Sequence, residues 1–342
     1  MSDEDNGSRR VQRWNDLSEV PRGYGPSVVA IGNFDGVHRG HVAVLSRLVA
    51  EARGRRARAV AITFDPHPLQ VLRPEHAPAQ LVGNEHKVAL LAETGLDGVL
   101  VLPFTLELAS WSPERFVEDV LVRALDSTAV VVGRDIRFGH RNAGDLSTMQ
   151  RLGEQHGFDV VVLDDVTGPG SGAEPGQARR WSSSWTRELL AAGDVAAAAE
   201  VLGRLHRVSG RVVHGDHRGR ELGYPTANLG QQMQGMVPAD GVYAGWLVRL
   251  DRPEEDPDRH LPAAISIGTN PTFDGRQRRV EAYVLDRTDL ELYGETIALD
   301  LVEYLRETLR FDDIDTLKQQ MAKDVERCHE VLDTVPPGVP VT

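Results

Sequence analysis

Five valine-rich apolar runs alternate with helical segments between Ser27 and Val166, and this alternation constrains the fold more than any other feature. The runs read SVVAIG, ARAVAITF, GVLVLPF, TAVVVG and DVVVLDDV. They are apolar throughout, as is typical of strands that are buried on both faces of a sheet. Strands that alternate with helices form a doubly wound parallel sheet, and its ligands bind beyond the carboxyl ends of the strands.

The first of these strands leads through a tight loop into a helix that begins with two histidines, His38 and His41. Residues three apart at a helix start share one face. The helix N-terminus offers unpaired N–H groups and a positive dipole end, which together bind phosphate. The pattern H-x-G-H alone also fits two solvated histidines. After a strand, and within GNFDGVHRGH, it favours a site that stabilises charge during transfer of a nucleotidyl group.

Two further polar loops follow strands of the same predicted sheet. TFDPHP (63–68) follows the second run and GRDIRFG (133–139) follows the fourth. TFDPHP alone is compatible with a plain turn, because Pro66 and Pro68 break regular structure. Its position at the carboxyl edge favours a site that the three loops share.

The second half of the chain changes character. VSGRVVHG, GVYAGWLVRL, LPAAISIG, RVEAYVLD and ETIALDLVEYL read as strands without helices between them, which indicates a small antiparallel β-barrel. A last helix has apolar residues at helical spacing and is expected to pack on the barrel. We therefore predict an α/β plus β protein. Its predicted parts are a disordered tail over 1–15, a first domain over 16–204 with a flexible loop at 167–180, and a barrel domain over 205–335.

The segment GRVVHGDHRGRELGYPTANL (210–229) opens the predicted barrel with a glycine- and arginine-rich loop. Thr226 and Asn228 are two residues apart, so on an extended chain their hydroxyl and amide groups point the same way. Both are hard oxygen donors of the kind that Mg²⁺ prefers, with nucleotide phosphates completing the shell. PTAN alone would be a turn, and the preceding loop favours a ligand site.

Glu281 lies in RRVEAYVLD, where Val280, Ala282 and Val284 share one face of a strand and Glu281 shares the other with Tyr283. Its carboxylate could take the proton of a substrate hydroxyl as a general base. A strand-face glutamate paired with a nearby arginine is an equally good interpretation of the pattern.

Charge and composition restrict the partners. The net charge is −13, whereas a general binder of nucleic acid or anionic membranes is usually basic, so neither is expected as a partner. The single Cys328 excludes an intrachain disulfide and fits a reducing compartment. The first residues have no apolar core of a secretory signal, and no run is long enough to span a membrane. We expect a cytoplasmic protein, and the sequence leaves open whether it forms a homo-oligomer.

These motifs together resemble the bifunctional riboflavin kinase/FAD synthetase family of bacteria. In order along the chain, GNFDGVHRGH, TFDPHP, GRDIRFG, GRVVHGDHRGRELGYPTANL, GVYAG, SIGTNPTF and VEAYVLD through LYGETIALDLVEYLR all match. The resemblance implies a Rossmann-like nucleotidylyltransferase domain followed by a kinase barrel. It implies that the barrel phosphorylates riboflavin to FMN with ATP, and that the first domain transfers AMP from ATP to FMN, giving FAD and pyrophosphate, both with Mg²⁺.

The resemblance also implies the site residues. In the first domain, ATP and its phosphates would meet Gly32, Asn33, Phe34, Asp35, His38, Gly40, His41, Asp135, Arg137, Ser183, Ser184 and Arg187, with His38 and His41 catalytic. The flavin there would meet Phe64, Asp65, Pro66, His67 and Pro68. In the barrel, Glu281 would be the base, Thr226 and Asn228 would bind the metal, and ATP or flavin would also meet Gly215, Arg218, Gly219, Gly223, Pro225, Asn270 and Arg306.

The chain departs from the family pattern in its first domain. Ser182-Ser183-Ser184-Trp185-Thr186-Arg187 stands where the family has S-S-T-x-I-R, and Ile136 stands where it commonly has Phe. A hydroxyl buried at 186 without a partner would cost about 1–3 kcal/mol. Three alternatives therefore stay open: a riboflavin kinase with a weakened or inactive adenylyltransferase module, a non-catalytic flavin-binding regulatory protein, and a nucleotidylyltransferase for another acceptor.

Overall fold

A computed structural model of the protein describes residues 11–164, 166–169, 178–215, 223–272, 275–309, 311 and 313–338. Its contacts divide the chain into two compact units. The first unit comprises residues 1–78 and 84–181, and the second comprises residues 79–83 and 182–342.

The first unit is built on a parallel sheet of six strands. They are β1 (Gln12–Trp14), β2 (Ser27–Ile31), β3 (Arg58–Asp65), β4 (Gly98–Pro103), β5 (Ser127–Gly133) and β6 (Asp159–Leu163). Their order is β1-β4-β3-β2-β5-β6, and every pair is parallel. The predicted doubly wound sheet is confirmed, because the five valine-rich runs form β2 to β6. From β2 the strands are added on one side as β3 and β4, whereas β5 is added on the other side of β2. The place between β2 and β5 is therefore a topological switch point, where ligands of such sheets bind.

Helical segments connect these strands, as the predicted alternation of strands and helices requires. They are α1 (Arg39–Arg55), α2 (Pro68–Leu72), α3 (Asn84–Ala92), α4 (Leu106–Ala109), α5 (Pro113–Phe116), a π-helical continuation over Val117–Ala124, and α6 (Leu146–His156), with 3₁₀ turns at Leu17–Glu19, Pro74–His76 and His140–Asn142. Ser112 caps α5 by accepting the Arg115 N–H at 3.2 Å, and Pro113 occupies the first turn. Both positions follow from ordinary capping preferences.

Two expectations about irregular segments need correction. The tail predicted over 1–15 is wrong for Gln12–Trp14, which pairs with β4. The reason is Trp14, which is buried against Tyr24 with ring centroids 4.6 Å apart and gains apolar contact area by joining the sheet. In the segment predicted as a flexible loop, β7 (Thr167–Pro169) and β8 (Ala178–Arg180) form an antiparallel hairpin. Residues 1–10 and 170–177 lie outside the described residues.

The second unit contains a closed antiparallel barrel, as predicted. Its strands are β9 (His206–Val213), β10 (Thr226–Leu229), β11 (Gly241–Arg249), β12 (His260–Thr272), β13 (Gly275–Val284) and β14 (Thr296–Arg306), in the order β10-β13-β12-β11-β14-β9. The terminal helix α9 (Ile314–Leu332) packs on the outside, where Cys328 and Val331 contact Ala244 and Val302 of the barrel. The predicted terminal helix is therefore confirmed.

The structural division does not coincide with the predicted boundary after residue 204. Helices α7 (Ser183–Ala191) and α8 (Val195–Leu202) belong to the second unit. Leu190 and Val195 join the buried core of the barrel, and so does Leu81 from the short segment 79–83. Leu81 is fully buried there. Apolar side chains, rather than position along the chain, decide this grouping.

Candidate functional sites

The loop after β2 has an unusual backbone. Phe34, Gly36 and Val37 have φ values of 47°, 81° and 39°. Such values are costly for residues that carry a β-carbon, and they cluster at functional sites. Phe34 and Val37 are nevertheless buried, at 3% and 2% exposure. Their burial offsets the cost of this conformation, which leads directly into α1.

His38 and His41 form a stacked pair at the start of α1. Their ring centroids are 3.7 Å apart with an interplanar angle of 24°. His38 caps the helix, because its Nδ1 accepts the backbone N–H of His41 at 3.3 Å. A neutral His38 ring therefore carries its proton on Nε2. Gly40 permits this packing, since a β-carbon there would lie 3.1 Å from the His38 ring.

The end of β3 lies beside this loop. The Asn33 Nδ2 atom is 3.3 Å from His67 Nε2, and the Thr63 hydroxyl donates to the Asn33 carbonyl oxygen at 3.0 Å. Asp65 accepts a hydrogen bond of 3.1 Å from the Asn84 side chain on α3. The structure thus brings together Asn33 and the Asp65–Pro68 loop, which the sequence places in one site.

The residues after β5 have partners of their own. Asp135 accepts a hydrogen bond of 3.1 Å from Arg180 on β8, and the Arg137 guanidinium donates to the Ile136 carbonyl oxygen at 2.9 Å. In the first unit, the Trp181 carbonyl oxygen also lies close to Gly40. Trp181 is thus a neighbour of the helix start that is predicted to bind phosphate, although the motifs do not assign Trp181 to the site.

Ser183, Ser184 and Arg187 lie on α7, in the second unit. Arg187 donates from Nε to the Ala79 carbonyl oxygen at 2.7 Å. Thr186 is fully buried, and its hydroxyl donates to the Ser182 carbonyl oxygen at 3.1 Å. The buried Thr186 hydroxyl therefore has a partner, and the cost of an unpaired hydroxyl does not arise.

Lys87 on α3 is a buried basic residue of the first unit that sequence reasoning missed. It is 7% exposed, and its ammonium donates to the Phe64 carbonyl oxygen at 3.1 Å. Burial lowers the pKa of Lys87, and the charges of Asp65 and Asp35 oppose that shift. The sequence gives one indication that Lys87 is unusual: it is one of only three lysines in a chain with 38 lysines and arginines.

The second unit carries a polar cluster on the outer face of its barrel. Thr226 and Asn228 of β10 lie opposite Tyr283 and Glu281 of β13 in the antiparallel register. Side chains opposite each other are about 4.5–5.5 Å apart at Cβ. The predicted alternation on β13 is confirmed, because Val280, Ala282 and Val284 are buried in the barrel core.

A pocket opens beside this cluster. Its lining includes Gly215, Pro225, Thr226 and Asn228 from one stretch of the chain, and Arg287 and Tyr293 from the connection between β13 and β14. Asn228 Nδ2 lies 3.3 Å from the Thr226 hydroxyl, so the two predicted donors are adjacent. A β-carbon at Gly215 would lie 2.6 Å from the Asn228 amide group, so glycine at this position leaves room for the observed Asn228 side chain.

The other predicted barrel residues are placed as follows. Gly223 has a φ of 89°, which favours glycine. Asn270 pairs with Gln277 across β12 and β13, and its side chain lies outside the description, as do Arg218 and Gly219. Arg306 makes a two-pronged ion pair with Asp324 of α9 at 2.8 and 2.6 Å, so it ties the end of β14 to that helix.

The donor set restricts the metal chemistry. Within the described residues there is no group of three or more His, Cys, Asp or Glu side chains that could hold a metal ion. The cluster on the barrel instead offers a hydroxyl, an amide oxygen and one carboxylate. Hard oxygen donors of this kind fit a magnesium ion that keeps substrate phosphates and water in its shell.

A parallel sheet with a histidine pair at a helix start, and a barrel on which Thr226 lies two residues from Asn228 and Asn228 lies opposite Glu281, define a two-unit, nucleotide-dependent transferase. The comparisons agree. The FAD synthetase family model matches residues 22–172, and the riboflavin kinase family model matches residues 202–332. The chain belongs to the family of bifunctional riboflavin kinases/FMN adenylyltransferases.

Several relatives carry that description. The protein of Escherichia coli (strain K12) is 37% identical over 324 residues, which is 95% of this chain and 98% of the relative. The protein of Pseudomonas fluorescens is 36% identical over 87% of this chain and 90% of the relative. The protein of Listeria monocytogenes serovar 1/2a is 32% identical over 92% of both chains.

The fold also matches a crystal structure from Streptococcus pneumoniae that is described as a macrolide-efflux protein. The TM-score is 0.81 at 27% identity, over 94% of this chain and 99% of that one. In the part of our chain that the structure describes, no helix is long and apolar enough to cross a membrane.

Proposed function

We propose that this chain converts riboflavin to FMN and then FMN to FAD, using one ATP for each reaction. The observation that carries this proposal is that its two units match two different family models, one for each reaction, in relatives that it covers almost completely. Each unit also has its own cluster of polar side chains with the chemistry that its reaction requires.

In the barrel, the 5′-hydroxyl of the ribityl chain attacks the γ-phosphorus of ATP, and ADP leaves. Glu281 is the proposed general base that accepts the hydroxyl proton. It suits this role because it lies on the outer face beside Asn228, and not in the apolar barrel interior. Thr226 and Asn228 position the triphosphate, since phosphoryl transfer depends mainly on positioning and charge stabilisation.

In the sheet domain, a phosphate oxygen of FMN attacks the α-phosphorus of ATP, a new P–O–P bond forms, and pyrophosphate leaves. His38, His41 and the N-terminus of α1 stabilise the negative charge that builds up in this step. The stacked rings at the helix start support this role. The Asp65–Pro68 loop, which contacts Asn33 through His67, holds the flavin.

Magnesium fits the barrel cluster as a co-substrate ion with ATP. Thr226 and Asn228 would hold it, and the ion would neutralise charge on the phosphates. The hydrogen bond of 3.3 Å from Asn228 Nδ2 to the Thr226 hydroxyl keeps the two side chains together, and the ion would meet the hydroxyl and the amide oxygen.

One time course with three proteins tests the proposal. Wild-type protein, His41→Ala and Glu281→Gln are each incubated with riboflavin, ATP and Mg²⁺, and the flavins are separated by chromatography. We expect FMN and then FAD from wild type, FMN alone from His41→Ala, and strongly slowed formation of both products from Glu281→Gln. Glu281→Gln should still convert added FMN to FAD, because the histidine pair is intact. Loss of one general base typically costs about 10²–10⁴-fold in rate.

FMN that accumulates without FAD in the wild type would instead support a kinase with an inactive adenylyltransferase module. Flavin binding without ATP turnover would support a non-catalytic flavin-binding protein. A His41→Ala protein that still makes FAD would move the adenylylation site away from the start of α1.

A further inference from the structure

The first turn of α3 holds the end of β3 through two side chains. Asn84 donates to the Asp65 carboxylate at 3.1 Å, and Lys87 donates to the Phe64 carbonyl oxygen at 3.1 Å. Residues three apart lie on the same helix face. Both therefore act at the start of the loop proposed to hold the flavin, on its first residue Asp65 and on the preceding Phe64.

Lys87 is an unusual group to find buried. The residue is 7% exposed, and within the described residues its ammonium makes one hydrogen bond and no ion pair within 4 Å. A buried charge is costly unless opposite charges compensate it. Asp65 and Asp35 supply that compensation at longer range, because both charges favour the protonated form of Lys87.

The choice of lysine at this position is also informative. The chain has three lysines among 38 basic residues, and the other two, Lys318 and Lys323, are exposed on α9. An ammonium is a compact charge on a flexible stem, whereas a guanidinium has five donors in a rigid plane. A single carbonyl partner in a closed environment suits the smaller group.

We propose that Lys87 is a positioning residue of the adenylyltransferase site, which fixes the end of β3 and offsets the charges of Asp35 and Asp65 where the anionic flavin substrate binds. This inference rests on the proposed assignment of the Asp65–Pro68 loop to the flavin. Without the ammonium, the Phe64 carbonyl loses its donor and the two carboxylates repel the FMN phosphate. We expect the larger loss in affinity for FMN. The rate of the reaction also falls, because the loop no longer holds the flavin in position for attack on ATP.

The test compares steady-state conversion of FMN to FAD by full-length wild type, Lys87→Met and the control Lys323→Met. Methionine preserves most of the apolar volume and removes the charge. We expect Lys87→Met to lose about 10- to 100-fold in kcat/KM for FMN, mainly through KM, as for loss of a hydrogen-bonded charge. Riboflavin kinase activity, measured in the same samples, and Lys323→Met should stay within about twofold of wild type.

Chemical rescue separates charge from packing. In Lys87→Ala, added ethylammonium should restore part of the FMN adenylylation, whereas it should do nothing for Lys87→Met, whose side chain fills the space. Unchanged kinetics of Lys87→Met would overturn the inference. A parallel loss of kinase activity together with a lower unfolding midpoint would also overturn it. So would an active Lys87→Met beside an inactive Lys87→Ala, because either result indicates that Lys87 acts only by packing.

The same assay distinguishes a failure of the role proposed for Lys87 from a failure of the site assignment. If His41→Ala still makes FAD, the proposed site is wrong whatever Lys87 does. If His41→Ala loses FAD synthesis and Lys87→Met does not, the site stands and only the role of Lys87 fails.

Discussion

Asn228 of β10 lies directly opposite Glu281 of β13 in the antiparallel register of the barrel. The pairing places an amide and a carboxylate on the outer face, while their strand neighbours Ala227 and Ala282 are buried in the core. The PTAN motif and Glu281 are far apart in the sequence. The barrel register makes them neighbours, and it gives the proposed base and the proposed metal ligands a common surface.

Gly215 controls the position of Asn228, so its substitution should be selective. In Gly215→Ala the new β-carbon would meet the Asn228 amide at 2.6 Å, which forces the side chain to move. We expect riboflavin kinase activity to fall by about tenfold or more, because a small displacement of a positioning group has large kinetic cost. Conversion of FMN to FAD by the same protein should persist.

Gly210→Ala is the matched control on the same stretch of chain. A β-carbon at 210 would have its nearest neighbour at 3.6 Å, an ordinary contact. Both activities should therefore remain. Equal kinase rates for the two alanine variants would show that Gly215 does not fix Asn228.

The ion pair between Arg306 and Asp324 connects β14 to α9 and should matter for stability. Gln320 also donates to Asp324 at 2.9 Å, and the Asp324 side chain is 10% exposed. Asp324→Asn leaves a largely buried guanidinium without its counter-charge, which we expect to cost about 3 kcal/mol of unfolding free energy. Urea unfolding measures this loss.

A second pair between the same helix and strand provides the control. Arg327 and Glu303 are 2.9 Å apart with half-exposed side chains. Glu303→Gln should cost about 1 kcal/mol or less, because solvent screens exposed pairs. Similar losses in the two variants would mean that burial does not distinguish the two pairs.

The sequence predicts what depends on local periodicity. The valine-rich runs predict β2 to β6, and the alternation around Glu281 predicts which side of β13 faces the barrel core. It does not predict groupings that tertiary contacts decide. Burial of Trp14 adds Gln12–Trp14 to the sheet as an edge strand, and Leu81, from the first half of the chain, packs into the barrel core. The burial of Lys87 could not be predicted, because the periodicity of a helix does not show which other elements its polar face contacts.

Thr186 in the altered S-S-S-W-T-R segment should tolerate removal of its hydroxyl. The hydroxyl donates to the Ser182 carbonyl oxygen, which also accepts the Thr186 backbone N–H at 3.1 Å. In Thr186→Val that carbonyl therefore keeps a donor, so we expect a change of about 1 kcal/mol or less in unfolding free energy. Thr186→Ile should likewise give no gain in FMN adenylylation. A several-fold gain in initial rate would show that the altered segment limits the reaction.

His206 should make the stability of the protein depend on pH below neutrality. Its ring is buried in the second unit, Nε2 donates to the Met236 carbonyl oxygen at 2.7 Å, and burial lowers the pKa of His206 to about 4. The unfolded chain has a histidine pKa of about 6.5. Below that value the unfolded state binds a proton that the folded state excludes, so stability is complete above pH 6.5 and declines as the pH falls towards 4. The decline amounts to about 3 kcal/mol at most, at roughly 1.4 kcal/mol per pH unit.

Urea unfolding between pH 7.5 and 4.5 should show that the advantage of wild type over His206→Gln shrinks across this interval, while exposed His156→Gln follows wild type. A constant difference between wild type and His206→Gln would show that the buried ring does not exclude the proton.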